Sequence, residues 1–181
     1  MKVYIHLADG FEEIEAITIL DVLRRANILT ETISVTKEKH VTGAHHMTII
    51  ADKLFEDADY DSCDMIVLPG GMPGTLNLQN HNGLIDKIKD FHFQSKWLAA
   101  ICAAPKILGN LGLLKGITAT CYPGFEEELY DARLTKDPVV QEGHIITSRG
   151  AGTALMFSLK LVEILIDKVT ALDLKEKMIA F

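Results

Sequence analysis

The sequence is poor in the residues that mark several large classes of protein. Its 181 residues include three cysteines, five prolines and one tryptophan. Three is an odd number, and the spacing matches no metal module, so neither a disulfide framework nor a zinc site is expected. With so little proline and only 13 glycines, the chain is no low-complexity or linker-rich polymer. Basic residues are in the minority, 18 against 25 acidic ones, for a formal charge of −7. That sign argues against binding along nucleic acid or on an anionic membrane surface. No run of roughly 18 apolar residues is present to span a bilayer. Even the apolar C-terminal segment is broken by Lys160, Glu163 and Asp167. The opening MKVYIHLADG is too short and mixed for a signal peptide, so a reducing cytoplasm is the expected compartment. Phosphate-cradling patterns such as G-x-x-x-x-G-K-[ST] and G-x-G-x-x-G are missing. The seven histidines, His6, His40, His45, His46, His81, His92 and His144, show no H-E-x-x-H or similar spacing. No metal and no cofactor are expected.

What the chain does have is apolar bulk. At 48% hydrophobic residues, one domain over 1–181 with a sizeable core is the expectation. Short β-branched runs alternate with longer helical ones. Strands are predicted at Lys2–Ala8, Glu31–Thr36, Met65–Leu68, Trp97–Ile101 and Ile117–Thr120. Hairpins are predicted across His40–Ala51 and from Val139–Gln141 to His144–Thr147. Helices are predicted at Glu12–Ala26, Asn82–Phe93, Ala103–Leu111, Phe125–Ala132, Gly152–Ile166 and Ala171–Ile179. Repeated β-α-β units imply a mostly parallel sheet with helices on both faces.

In such sheets ligands bind beyond the carboxyl ends of the strands. Three segments fall at such ends: Asp9–Glu15, Pro69–Gly74 and Cys102–Pro105. A strand-end cysteine is by itself more often a packed core residue. Cys102, however, has Ala103 and Ala104 after it, and a nucleophile on a sharp strand-to-helix turn needs small neighbours. The helix start that follows directs N–H groups at the sulfur and favours thiolate. Dipole alone falls short. Lowering a thiol from about 8.5 to about 6 takes roughly 3.4 kcal/mol, and a helix end gives at best about 2. Gly70 and Gly71 can add close backbone donors. Glu15 is the candidate acid: two adjacent anions repel, so its carboxyl is expected to stay protonated beside the sulfur.

Four blocks carry a resemblance. They are Asp9-Gly10-Phe11-Glu12-Glu13-Ile14-Glu15, Val67-Leu68-Pro69-Gly70-Gly71, Ala99-Ala100-Ile101-Cys102-Ala103-Ala104-Pro105 and Thr147-Ser148-Arg149-Gly150-Ala151-Gly152-Thr153. In this order, and across nearly the whole chain, they resemble the ThiJ/PfpI superfamily, in the branch of the Parkinson-disease-linked protein deglycase and its bacterial relatives. The resemblance implies a flavodoxin-like, class I glutamine-amidotransferase-like three-layer α/β/α sandwich, usually a homodimer. It implies Cys102 as nucleophile, Glu15 as its hydrogen-bonding carboxyl, and an oxyanion pocket from the N–H groups of Gly71 and Ala103 beside Gly70. It also puts Arg25 near a partner's pocket and His45 close to the pocket rim. One position departs from the family: Tyr122, in Thr120-Cys121-Tyr122-Pro123, stands where many members carry a histidine. A Cys-His-acid triad needs imidazole, so peptidase or amidotransferase chemistry is not expected.

The activity implied is a cofactor-independent glyoxalase III or deglycase, acting on methylglyoxal-type aldehydes or their adducts on amines and thiols. The alternative is a redox-sensing, chaperone-like oxidative-stress protein using the same cysteine.

Overall fold

The structure, a computed structural model, describes residues 1–180. Eleven strands run in chain order: β1 Lys2–Leu7, β2 Leu29–Ser34, β3 His40–Thr42, β4 Thr48–Ile50, β5 Lys53–Leu54, β6 Met65–Leu68, β7 Trp97–Ile101, β8 Thr118–Ala119, β9 Arg133–Leu134, β10 Val139–Glu142 and β11 Ile145–Ser148. The helices are α1 Glu13–Arg25, α2 Gly74–Gln79, α3 Asn82–Phe93, α4 Pro105–Asn110, α5 Ala154–Leu165 and α6 Lys168–Lys177. Seven strands form the central sheet in the order β10-β11-β7-β6-β1-β2-β5, parallel throughout except for the β10–β11 hairpin. β3 and β4 pair as an antiparallel ribbon outside it, and β8 with β9 as a short parallel one.

The sheet strands alternate their side chains between two cores. Val3, Ile5, Leu7, Val67, Ala99 and Ile101 pack under α1, α5 and α6. Tyr4, Ile66, Leu68, Leu98 and Ala100 pack under α2, α3 and α4. Every residue of β6 is buried, which is why that run reads as continuously apolar. This is the flavodoxin-like α/β sandwich, with its mostly parallel sheet between helical layers. From β1 the chain first builds outward through β2 and β5, then returns to β6 and builds the other way. The order therefore reverses between β1 and β6, the place where a crevice opens in sheets of this kind.

Several expectations shift. Phe125–Ala132 is not a helix: only Glu126–Glu128 make one 3-10 turn. Three consecutive carboxylates repel and offer no apolar stripe to bury, so one turn is all the segment sustains. α4 starts at Pro105 rather than Ala103, because Cys102 has a left-handed backbone and residues 102–104 form the turn. α6 starts three residues early, since the Asp167 carboxylate accepts the N–H of Thr170 at 2.7 Å and caps it. Ile117–Thr120 shrinks to the two residues of β8. Helix α2 and the two-residue strands β5 and β9 were not expected at all. α1 ends as its sequence suggests: Asn27 turns left-handed and the N–H of Ile28 returns to the carbonyl of Leu23.

Candidate active site

Three strand ends meet at the crevice. Past β7 the chain reaches Cys102 at φ of +65°, a conformation a side chain tolerates only when its surroundings enforce it. The enforcement is visible. The N–H of Cys102 donates to the Ser148 carbonyl (2.9 Å), and its own carbonyl accepts the N–H of Tyr122 (2.8 Å). Past β6, the N–H of Gly70 donates to Glu15 Oε2 at 2.7 Å, while the Gly70 carbonyl accepts the N–H of Glu12 at 2.9 Å. Past β1, α1 delivers Glu15 on its third residue.

Gly70 is the tight point of the assembly. A Cβ there would lie 2.6 Å from the Cys102 Cβ, 2.9 Å from Glu15 Oε2 and 3.1 Å from the Ala103 nitrogen. Only glycine lets the nucleophile turn, the acid and the loop approach so closely. The N–H groups of Ala103 and Gly71 both act on the Cys102 sulfur, pulling toward its ionised form.

Glu15 is wholly buried, and its Oε1 has no nitrogen or oxygen donor. The side chain that interacts with this carboxyl is the Cys102 thiol. Burial pushes Glu15 up to about 7, against the opposing pull of the Gly70 N–H and the thiol. Burial also pushes the Cys102 thiol up to about 12, and the Glu15 charge adds to the rise. Two anions that close, both stripped of water, repel, so ionising one of the pair disfavours ionising the other. Burial acts on both groups, and of the two the carboxyl gives up its proton more readily.

A cavity of about 400 Å³ opens over the sulfur. It is lined by Glu15, Gly71, Cys102, Ala103, His45 and Tyr122, all singled out from the sequence, with Gly70 directly behind. Glu12, Met72, Phe125 and Ala151 line it too and were missed. Ala151 carried a readable signal, since it follows β11 and so stands at a fourth parallel strand end. Tyr122 is half exposed and packs along Gly150, forming a wall of the cavity beside the sulfur. Arg25 does not reach this cavity. It lies ten residues along α1 from Glu15, about 15 Å of helix rise, and pairs with Asp21 at 2.6 Å.

His45 approaches from the β3–β4 ribbon. Its Nδ1 stands 2.9 Å from Glu13 Oε2 and 3.7 Å from Glu12 Oε2, and its backbone N–H donates to Glu13 Oε1 at 2.7 Å. These three residues are close enough to share a cation among the described residues. The hydrogen bonds already account for them: Glu13 fastens the ribbon to α1. A hollow of about 380 Å³ between α5 and α6 is lined mainly by apolar and surface-charged groups such as Leu155, Met156 and Lys160. No cysteine, serine or histidine lines it, so Cys102 remains the candidate centre.

With that geometry in place, comparison with known proteins is decisive. A model of the DJ-1/PfpI family matches residues 1–164. The chain belongs to the DJ-1/PfpI family. Protein DJ-1 homolog B of Arabidopsis thaliana is 38% identical over 180 residues, 98% of this chain and 41% of that protein. The chain thus spans less than half the length of the Arabidopsis relatives it matches. A Pyrococcus abyssi protein named as a deglycase is 31% identical over 168 residues, covering 91% of this chain and 99% of its own. Among solved structures, oxidized DJ-1 of Toxoplasma gondii superimposes with a TM-score of 0.95 at 34% identity, over 99% of this chain and 98% of that one. Among the described residues no helix is long and apolar enough to cross a membrane.

Proposed function

We propose that this DJ-1/PfpI protein is a cofactor-independent hydrolase of methylglyoxal-type aldehydes or their adducts, of the glyoxalase III or deglycase kind. The observation that carries the reading is the Glu15 carboxyl buried against the Cys102 sulfur under an open cavity. Glu15 takes the sulfur's proton as the sulfur bonds to the aldehyde carbon, so no histidine is needed at Tyr122. The new alkoxide is met by the N–H groups of Gly71 and Ala103 and then protonated from Glu15, giving a hemithioacetal. Moving the carbon-bound proton from C1 to C2, and the hydroxyl proton from the C1 oxygen to the C2 oxygen, converts that adduct to a thioester. Water then releases the hydroxy acid and restores the thiol. The aldehyde carbon is oxidised and its neighbour reduced, so no external oxidant enters.

The test is turnover of methylglyoxal to lactate by purified protein. Cys102→Ser should lower kcat/KM by about 10³-fold or more, with Cys63→Ser as the control outside the cavity. Undiminished turnover in Cys102→Ser protein ends the mechanism.

A second reading, redox sensing, is favoured by the similarity to oxidized Toxoplasma gondii DJ-1 and by the opening over the same sulfur. A sulfinate on Cys102 would drive Glu15 to hold its proton and donate it as a hydrogen bond. Mild peroxide should then add two oxygens at Cys102 and spare Cys63 and Cys121; equal oxidation of all three rules sensing out.

The assembly that fits is a homodimer, with a second copy over the exposed Ile14 and Ile17 of α1 and the nearby Met47 of the ribbon loop. Arg25 follows Ile14, Ile17 and Asp21 on the same helical stripe, the face a partner would cover.

A further inference from the structure

Two further hollows adjoin the cavity at Cys102 on the side of Tyr122. A second hollow of about 280 Å³, walled by residues 149–153, shares Tyr122 and Ala151 with the first. A third, of about 300 Å³, shares Arg149 with the second and adds Lys136, Thr135, Glu126 and Cys121. The three hollows thus lie side by side along Tyr122, Ala151 and Arg149, with Cys102 at one end and two cations at the other.

Arg149 is the odd one among four arginines. Arg24 donates to the Thr30 carbonyl and to Asp52, Arg25 to Asp21, and Arg133 to Glu142. Among the described residues the half-buried guanidinium of Arg149 has no hydrogen bond and no ion pair. Five donors in a fixed fork, partly shielded from water and unused, are arranged to meet an oxyanion with two oxygens. Lys136 is likewise unpaired among the described residues. The acid in this hollow, Glu126, accepts the Gly124 N–H at 2.6 Å, and backbone N–H groups hold it below the usual range, with Arg149 and Lys136 adding to the effect. Two cations thus face one acid that the backbone already engages.

We propose that Arg149 and Lys136 form an anion subsite for the far end of the substrate, so that the enzyme prefers carbonyl compounds whose tail, passing over Tyr122, ends in a carboxylate or phosphate. This deepens the reading of Cys102 as nucleophile and rests on it. Bare methylglyoxal would fill the cavity at Cys102 and leave the tail site empty.

The test measures reach along these hollows and needs no turnover. Cys102 is alkylated with 6-maleimidohexanoic acid and, separately, with its uncharged methyl ester. In each case the thiol adds across the ring double bond and its proton passes to the neighbouring carbon. Rates are read by mass at the Cys102 peptide, in Cys121→Ser protein and at constant ionic strength, because exposed charges are screened by salt. The acid should react about tenfold faster than the ester. Arg149→Met should bring the ratio close to one, and Arg149→Lys should keep part of it. Whichever of inorganic phosphate or acetate erases the advantage at the lower concentration identifies the tail. Equal rates for acid and ester, an advantage that survives Arg149→Met, or failure of both reagents to reach Cys102 overturns the subsite. An anionic advantage in protein that does not turn over methylglyoxal would overturn the enzymatic reading and leave the subsite standing.

Discussion

Cys63 and Cys102 each stand beside a strand of the central sheet, and burial pushes both thiols up to about 12. Around Cys63 the sulfur is completely enclosed and donates to the Met65 carbonyl at 3.2 Å, a satisfied group with nothing to react with. Cys102 differs in three ways. Its backbone is left-handed, a cavity opens over it, and its neighbour is a carboxyl with an idle oxygen rather than a peptide carbonyl. A raised thiol is therefore no sign of inertness here. What separates the two is whether a base stands ready to take the proton once an electrophile arrives.

The largest way to break that contrast is at Gly70. Adding one methyl, Gly70→Ala, places a carbon 2.6 Å from the Cys102 Cβ, which is fixed to the backbone, 2.9 Å from Glu15 Oε2 and 3.1 Å from the Ala103 nitrogen. The elbow must move off the acid, which makes Cys102 resemble Cys63. Turnover of methylglyoxal should fall by about 10²-fold or more, with stability lower by about 1–3 kcal/mol in denaturant unfolding. An active, fully stable Gly70→Ala protein would show that close approach of acid and sulfur is not what makes the site.

The next effect sharpens the contrast through pH. Glu15 holds its proton up to about 7 in the folded chain, whereas an unfolded glutamate loses it near 4.5. Between those values the folded state carries a proton that the unfolded state has shed, so stability falls as pH rises from about 4.5 to about 7 and levels off above. The full span is up to about 3 kcal/mol. Glu15→Gln removes the titrating group, so its melting temperature relative to wild type should climb by several degrees between pH 5 and pH 8. The same variant should lose about 10²-fold or more in turnover. A stability difference that stays flat across that range would mean Glu15 does not titrate near neutrality.

How far the sequence disclosed this site differs from residue to residue. The buried strands β6 and β7 were legible because four or five apolar residues closed by Gly-Gly or by Cys-Ala-Ala leave few alternatives. The turn at Cys102 was legible from its small neighbours. Glu15 was singled out, chiefly through the resemblance, but the roles of Glu12 and Glu13 were not legible, since acids at a helix start all look alike on paper. In the fold they diverge: Glu12 reaches the cavity rim, Glu13 the ribbon, and Glu15 the sulfur. Helical rotation of about 100° per residue separates such neighbours, but only the packing of α1 decides which direction holds the sulfur. The balance of forces on the sulfur was hard to read for a related reason. The sequence shows dipoles that favour thiolate, while the desolvation that outweighs them exists only after the chain folds.

The smallest expected effect concerns Glu13, the acid two residues before Glu15. Glu13 is nearly as buried as Glu15, yet it is fully engaged by the His45 backbone N–H at 2.7 Å, the Met47 N–H at 3.4 Å and His45 Nδ1 at 2.9 Å. Burial alone would raise its carboxyl, but the His45 side chain and these backbone donors bring it below the usual range. The same contact raises His45, with Glu13 and Glu12 as the causes. A histidine raised in the folded state adds stability below its unfolded value near 6.5 and loses it as pH climbs through the folded one. Glu13→Gln can still accept the two backbone N–H groups but loses the charge that holds imidazolium. It should cost about 1 kcal/mol, more at pH 6 than at pH 8, the reverse of the trend expected for Glu15→Gln. Limited proteolysis should show faster cleavage in residues 43–47, with Cys102 alkylation by iodoacetamide little changed. Equal loss at both pH values would mean that the ribbon is held by the backbone donors alone.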